Sequence, residues 1–158
     1  MYTSPSALPE PARREIAAAL DARLADGLDL WSQIKVAHWN VKGPHFAALH
    51  PLFETFATGL AAHNDALAER AVTLGATVRG SARQVASAST LPDYPAGPTR
   101  ALEHVKLLAE RIEAYLGRVR EARGVAERHA DQDTVDLLTG IVVEFEKHAW
   151  FLRASLAE

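Results

Sequence analysis

Apolar residues at Ile16, Leu20, Leu24, Leu28, Trp31 and Ile34 recur at intervals of three and four, the period of a helix with one buried face. The same period returns further along the chain, between segments that cannot be helical. The first helix is expected from about Pro11 to about Trp39, followed by a turn at Asn40–Gly43. Pro44 suits a first helical position, where the missing N–H would have no partner anyway, and Gly75 suits a helix stop. A second helix is therefore expected from Pro44 to about Leu74. Residues 76–98 form a long connection rich in Ser, Ala, Gly and Pro. Within it, SARQVASAS has room for a short helix, while LPDYPAGP cannot hold a long one.

A third helix is expected from about Thr99, with Leu102, Val105, Leu108, Ile112, Leu116 and Val119 turned inward and Gly124 ending or bending it. A fourth begins near DQDTVD, whose aspartates suit a helix N-terminus by capping and by the helix dipole. Val135, Leu138, Ile141, Val142, Phe145 and Leu152 carry it to about Leu156. The fold class is all-α: a four-helix bundle with a short helix in the long crossover between helices two and three. Residues 1–158 read as a single domain. Residues 1–10, broken by Pro5 and Pro9 and followed by Pro11, read as a flexible arm.

Composition narrows the function. With 48% hydrophobic and only 7% aromatic residues, the chain favours helix over sheet. A net charge of −3 marks no general affinity for nucleic acid or anionic membrane, and no apolar run reaches spanning length. The absence of cysteine excludes disulfides, thiolate metal sites and thiol catalysis. The first residues lack the basic-then-apolar order of a signal peptide, so a cytoplasmic location is expected.

Four metal-capable side chains lie on the second helix as two pairs, each four residues apart: His50 with Glu54, and Asp65 with Glu69. Eleven residues, close to three turns, separate Glu54 from Asp65, so all four share one stripe. At ~1.5 Å per residue the stripe is roughly 28 Å long, too far for one ion to bridge. The spacing is symmetric about the midpoint between Gly59 and Leu60. Two copies crossing antiparallel there would bring His50 of one chain to Glu69 of the other, and Glu54 to Asp65, making two identical sites per dimer. Gly59 would then permit close approach of the two backbones. His38 and His50 are each six residues from Pro44, so the hairpin lays them side by side. Each half-site thus holds two imidazoles and Glu54, completed by Asp65 and Glu69 of the partner. Imidazole and carboxylate without sulfur suit iron, manganese or zinc, and open positions suit oxidation of Fe(II).

The chain contains no Glu-x-x-His, the motif that builds a di-iron site inside a single bundle, which favours the shared site by elimination. His63 faces away from the stripe and reads as bundle packing, and His45 as a surface residue or auxiliary ligand. His104 and His129 lack a convincing carboxylate partner, and a solvated face explains Glu144 with His148. Trp31, Trp39, Trp150 and Phe151 read as packing residues, with Trp39 also placed to shield the site.

KVAHWNVKGPHFAALHPLFE followed by HNDALAERAVTLG resembles the signature of the Dps family (DNA-binding protein from starved cells), the mini-ferritins of the ferritin-like superfamily. SARQVASASTLPDYP and TGIVVEFEKHAWFLRASL resemble its inter-helix segment and last helix, so the likeness covers nearly the whole chain. It implies a ferritin-like four-helix bundle assembled from two-fold dimers into a hollow dodecamer. Fe(II) would be oxidised, typically by hydrogen peroxide, at a ferroxidase site between subunits and stored as ferric mineral, with zinc or manganese able to occupy the same site. The family's histidines fall on His38 and His50 and its later carboxylates on Asp65 and Glu69. Its middle acid is usually aspartate, and here it is Glu54. The resemblance also implies three-fold pores lined by acids, for which Asp131 and Asp136 are candidates, with Asp133 beside them. A shell concerned mainly with binding the nucleoid is the alternative, and a bundle binding another metal or cofactor a third. Arg13 and Arg14 are offset by Glu10 and Glu15, and the chain ends in an acid. Twelve chains at −3 each repel phosphate, so tight binding to duplex DNA is not expected.

Overall fold

The computed structural model describes residues 1–98 and 100–157. Its helices are α1 (Glu10–Asn40), α2 (Phe46–Thr73), α3 (Ala82–Ala88), α4 (Ala101–Arg128) and α5 (Gln132–Ala154). α1 packs against α2 and α4, α4 against α5, and α5 against α2, while the short α3 lies on α1. The four long helices bury one shared core. Ile16, Leu20, Leu30 and Ile34 meet Phe53, Phe56, Leu60 and Leu67, with Leu108, Ile112, Tyr115 and Phe145 closing it from α4 and α5. Cutting one of the buried leucines to alanine costs about 2–5 kcal/mol.

Turn chemistry sets the ends of the elements. Pro44 lies in the α1–α2 turn rather than in the helix, because Gly43 takes φ 103° and the helix starts after His45. Gly75 ends α2 at φ 96°, and a Cβ there would stand 2.7 Å from the Tyr2 carbonyl. Gly124 does not end α4, which runs on to Arg128; the stop comes at Ala130, which takes φ 55°. The expected start of the third helix, Thr99, lies outside the described residues, as does the terminal acid Glu158. Leu102, expected inside, is 45% exposed.

The crossover is held by Leu91, which joins the core, and by a set of polar contacts. α3 opens on a capping box between Ser81 and Gln84. Thr90 N–H donates to the buried Asp26 at 2.7 Å, and Gln33 reaches the Pro92 carbonyl at 3.1 Å. Arg111 donates to Gln33 at 2.8 Å and to the Asp93 carbonyl at 2.7 Å. The first ten residues, read as a flexible arm, lie along the end of α2: Tyr2 N–H donates to the Gly75 carbonyl at 2.6 Å and Ser4 Oγ to that of Thr73 at 2.7 Å. Among the described residues no helix is long and apolar enough to cross a membrane.

Candidate metal centre

The tight turn at Val41–His45 lays the last turn of α1 against the first turns of α2. There His38 and His50 stack, with ring centroids 3.8 Å apart and planes 24° from parallel. His38 Nδ1 donates to the His50 carbonyl at 2.9 Å, and His50 Nδ1 to the His38 carbonyl at 3.0 Å. A carbonyl oxygen only accepts, so both Nδ1 atoms carry the protons of these bonds, which leaves Nε2 as the atom of each ring available to a metal. Glu54 completes the half-site from one turn further along α2, its Oε2 lying 3.4 Å from His38 Nε2. The hairpin therefore brings His38, His50 and Glu54 together as the spacing around Pro44 requires.

A residue that the sequence reading passed over also occupies this site. Lys35 Nζ is hydrogen-bonded to the same Glu54 oxygen and lies 5.8 Å from the centre of the Trp39 ring. The signal was present: three residues before His38, Lys35 shares its helix face. The hydrogen bond and charge of Lys35 hold the Glu54 carboxyl below the usual carboxylate range, with the two imidazoles adding to the effect. Glu54 is thus an anion at neutral pH with an ammonium on one of its two oxygens, and any metal cation that enters shares the carboxylate with that ammonium or displaces it.

Asp65 and Glu69 are exposed on the same helix. They lie roughly 16 and 22 Å along the axis from Glu54, so within one chain they do not join the histidines. Among the described residues, no group of three or more His, Cys, Asp or Glu side chains of one chain stands arranged to hold a metal ion. Asp65 borders a groove of mostly apolar lining, with Leu24, Leu28, Trp31, Ala61 and Ala68 around it. Gly59, expected at a crossing of two chains, instead faces α5 of its own bundle, where a Cβ would stand 2.4 Å from a Glu144 oxygen.

The pore candidates separate. Asp131 is buried, caps α5 through the Thr134 N–H, and accepts from Arg70 Nη2 at 2.6 Å, tying α2 to α5. Asp133 and Asp136 are exposed, Asp136 accepting from Gln132 at 2.8 Å. Three of the remaining histidines, His63, His104 and His129, find partners that spacing did not show. His63 is bonded to Glu144 at 2.8 Å, and His148 is buried rather than on a solvated face. His104 is buried against the Tyr94 hydroxyl at 2.6 Å, His129 pairs with Glu15 on the surface, and His45 is exposed. Trp31, Trp39 and Trp150, read as packing, are 37, 65 and 63% exposed on the single chain.

The comparisons with known proteins agree with this architecture. The family model described as a ferritin-like domain matches residues 17–158. A DNA protection during starvation protein from Agrobacterium fabrum is 37% identical over 151 residues, 96% of this chain and 93% of its own. Among solved structures, DpsC from Streptomyces coelicolor superposes with a TM-score of 0.93 at 30% identity, covering 99% of this chain and 91% of its own. The Dps protein of Vibrio cholerae, described as belonging to a broad superfamily of ferritin-like diiron-carboxylate proteins, gives a TM-score of 0.92 at 27% identity over 99% of this chain and 98% of its own. Together with the stacked histidine pair, these likenesses place the chain in the Dps family of ferritin-like proteins.

Proposed function

We propose that this chain is a cytoplasmic mini-ferritin: it oxidises Fe(II), preferentially with hydrogen peroxide, at sites shared by two-fold-related subunits, and stores the ferric product inside a hollow dodecamer. The observation that carries this reading is the His38–His50 stack, in which two backbone carbonyls fix both rings with their Nε2 atoms free for metal, beside Glu54. Half of a ligand set is present at one end of α2, and two exposed carboxylates wait further along it. A two-fold axis level with the Gly59–Leu60 midpoint, on the exposed face of Thr58 and Ala61, joins the halves, and the apolar groove beside Asp65 gives the second copy a surface to cover. The Vibrio cholerae relative's diiron-carboxylate description fits this donor chemistry.

The roles follow from the donors. Glu69, with Asp65, holds one Fe(II) against His38 of the other subunit, while His50 and Glu54 hold or recruit the second. Carboxylates favour the ferric product, and neutral imidazoles keep the pocket from becoming too anionic to release it. The balance is two Fe(II), one hydrogen peroxide and two protons giving two Fe(III) and two waters, so two adjacent irons let peroxide take both electrons without releasing hydroxyl radical. Zinc or manganese would compete for the same donors. Asp133 and Asp136 are the exposed acids near the start of α5 suited to guide cations inward, whereas Asp131 is engaged with Arg70.

The names of two curated relatives, DNA protection during starvation proteins, leave room for a second reading in which a shell of this chain protects DNA by holding it. Chemistry that removes Fe(II) and peroxide together protects DNA without contact, and the net charge of each chain favours that route. The double variant Asp65→Ala with Glu69→Ala tests both. We expect the assembled shell to lose rapid peroxide-dependent iron oxidation, followed by ferric absorbance, and with it protection of plasmid DNA from Fe(II) and peroxide. Unchanged oxidation would refute the ligand assignment. Lost oxidation with full protection would favour the DNA-holding shell.

A further inference from the structure

A second imidazole–carboxylate cluster lies between α2 and α5, apart from the hairpin site. Gly59 and His63 are one turn apart on α2, and Glu144 and His148 one turn apart on α5. His63 Nε2 lies 2.8 Å from Glu144 Oε2, and His148 Nε2 lies 3.4 Å from Glu144 Oε1. His148 is 7% exposed, set between the Phe56 ring at 4.2 Å and the Phe145 ring at 5.0 Å, and neither of its ring nitrogens makes a hydrogen bond. An imidazole buried with both nitrogens unpartnered forfeits hydrogen bonds that water would supply, and native proteins rarely leave such a group without a reason. Gly59 leaves the space the carboxylate occupies, since a Cβ there would fall 2.4 Å from Glu144 Oε1. The Glu144 head is itself 40% exposed, so the cluster opens to solvent on one side and is closed by aromatic rings on the other.

From this geometry we infer that His63, Glu144 and His148 form a second cation site, for a divalent first-row transition metal held within one subunit. Two donors on one ~2.1 Å tetrahedral centre stand roughly 3.4 Å apart, the separation between Glu144 Oε1 and His148 Nε2. The two imidazoles flank the carboxylate instead of meeting at one point, so the site closes by a turn of the exposed Glu144 head, with water filling the open positions. The donor set, two nitrogens and a carboxylate without sulfur, suits zinc, iron(II) or cobalt(II) and disfavours calcium and magnesium. The inference does not depend on the shared ferroxidase site, because every donor comes from the same chain.

The test uses the assembled protein carrying His38→Phe, His50→Phe, Asp65→Ala and Glu69→Ala, so that both halves of the shared site are disabled, and titrates it with zinc by calorimetry and with cobalt(II) by its visible absorption. We expect one saturable cation per chain. Adding Glu144→Gln, which keeps the shape and a bond to His63, or His148→Phe, which suits the surrounding rings, weakens it by at least about tenfold. Gly59→Ala does the same by pushing the carboxylate away. Circular dichroism and size-exclusion chromatography check that each variant folds and assembles. Absence of cation binding in the background protein overturns the proposal. So does binding that survives both the Glu144 and His148 substitutions, which would leave His63 and Glu144 as a plain interhelical tie.

Discussion

The chain contains two clusters of the same composition, two histidines and one glutamate, which differ in what holds the rings. At the α1–α2 turn, His38 and His50 each donate from Nδ1 to a backbone carbonyl, so both Nε2 atoms are fixed outward before any metal arrives. Between α2 and α5, the His63 Nε2 is already spent on Glu144, and His148 makes no hydrogen bond, its Nε2 lying 3.4 Å from Glu144 Oε1. The first cluster is preorganised by local chain geometry, its members twelve residues apart across a hairpin. The second depends on long-range packing, with His63 and Glu144 separated by eighty-one residues. Similar donors thus stand with both rings oriented by backbone carbonyls in one place, and against a wall of buried aromatic rings between two helices in the other.

That contrast predicts opposite consequences for single substitutions. His38→Phe keeps a ring to stack on His50 but removes the Nε2 donor. The rate of peroxide-driven iron oxidation is expected to fall on the order of 100-fold. Thermal stability should change little, because the ring sits at the edge of the bundle and the swap roughly conserves volume. His148→Ala is expected to lower stability by about 2–4 kcal/mol in denaturant unfolding, because it opens a cavity between Phe56 and Phe145. A His38→Phe protein that oxidises iron normally, or a His148→Ala protein as stable as the parent, breaks the comparison.

The carboxylates differ in a parallel way. Glu54 is paired with a lysine and Glu144 with a histidine, so only the first site starts with a permanent positive charge on its ligand. Lys35→Met keeps the stem length and removes that competitor. Zinc, used as a redox-silent probe, is expected to bind the hairpin site roughly two- to fivefold more tightly, the modest range of a partly exposed ion pair. The gain should shrink as salt rises, since salt already screens the lysine. Weaker binding in Lys35→Met would mean that the ammonium positions Glu54 for metal rather than competing with it.

Much of the hairpin site was legible in the sequence, and little of the α2–α5 cluster was. Equal spacing of His38 and His50 about Pro44 suffices to place them together, because a short turn leaves two helices few ways to meet. Apolar periodicity likewise gave the four long helices and room for α3. It did not give the neighbours of Gly59, because spacing shows which face of α2 a residue occupies and not what packs there. Glu144 and His148 looked like a solvated pair for the same reason: only the approach of α2 buries His148. Leu102 and Trp150 failed in the other direction, with apolar residues at helical spacing lying on faces the bundle of one chain does not cover.

The smallest expected effect concerns a third histidine, and it separates burial from metal chemistry as the cause of pH dependence. His104 is fully buried beside Tyr94, and desolvation holds its imidazole below the usual value, against a partial opposing pull from Glu103. The unfolded chain takes up a proton near pH 6.5, while the folded chain resists until lower pH. Between those values the unfolded state binds more protons, so this contribution to stability is whole above about pH 6.5 and is lost as pH falls through the folded value. His104→Gln keeps a polar group for Tyr94 without a titrating ring. The drop in Tm between pH 7.5 and 5.5, measured with metal removed, should therefore be smaller in the variant than in the parent. An equal drop in both proteins would exclude His104 as the source of the acid sensitivity and leave it with other shifted groups, among them His148, which burial also holds low, and the paired carboxylates Glu54 and Glu144.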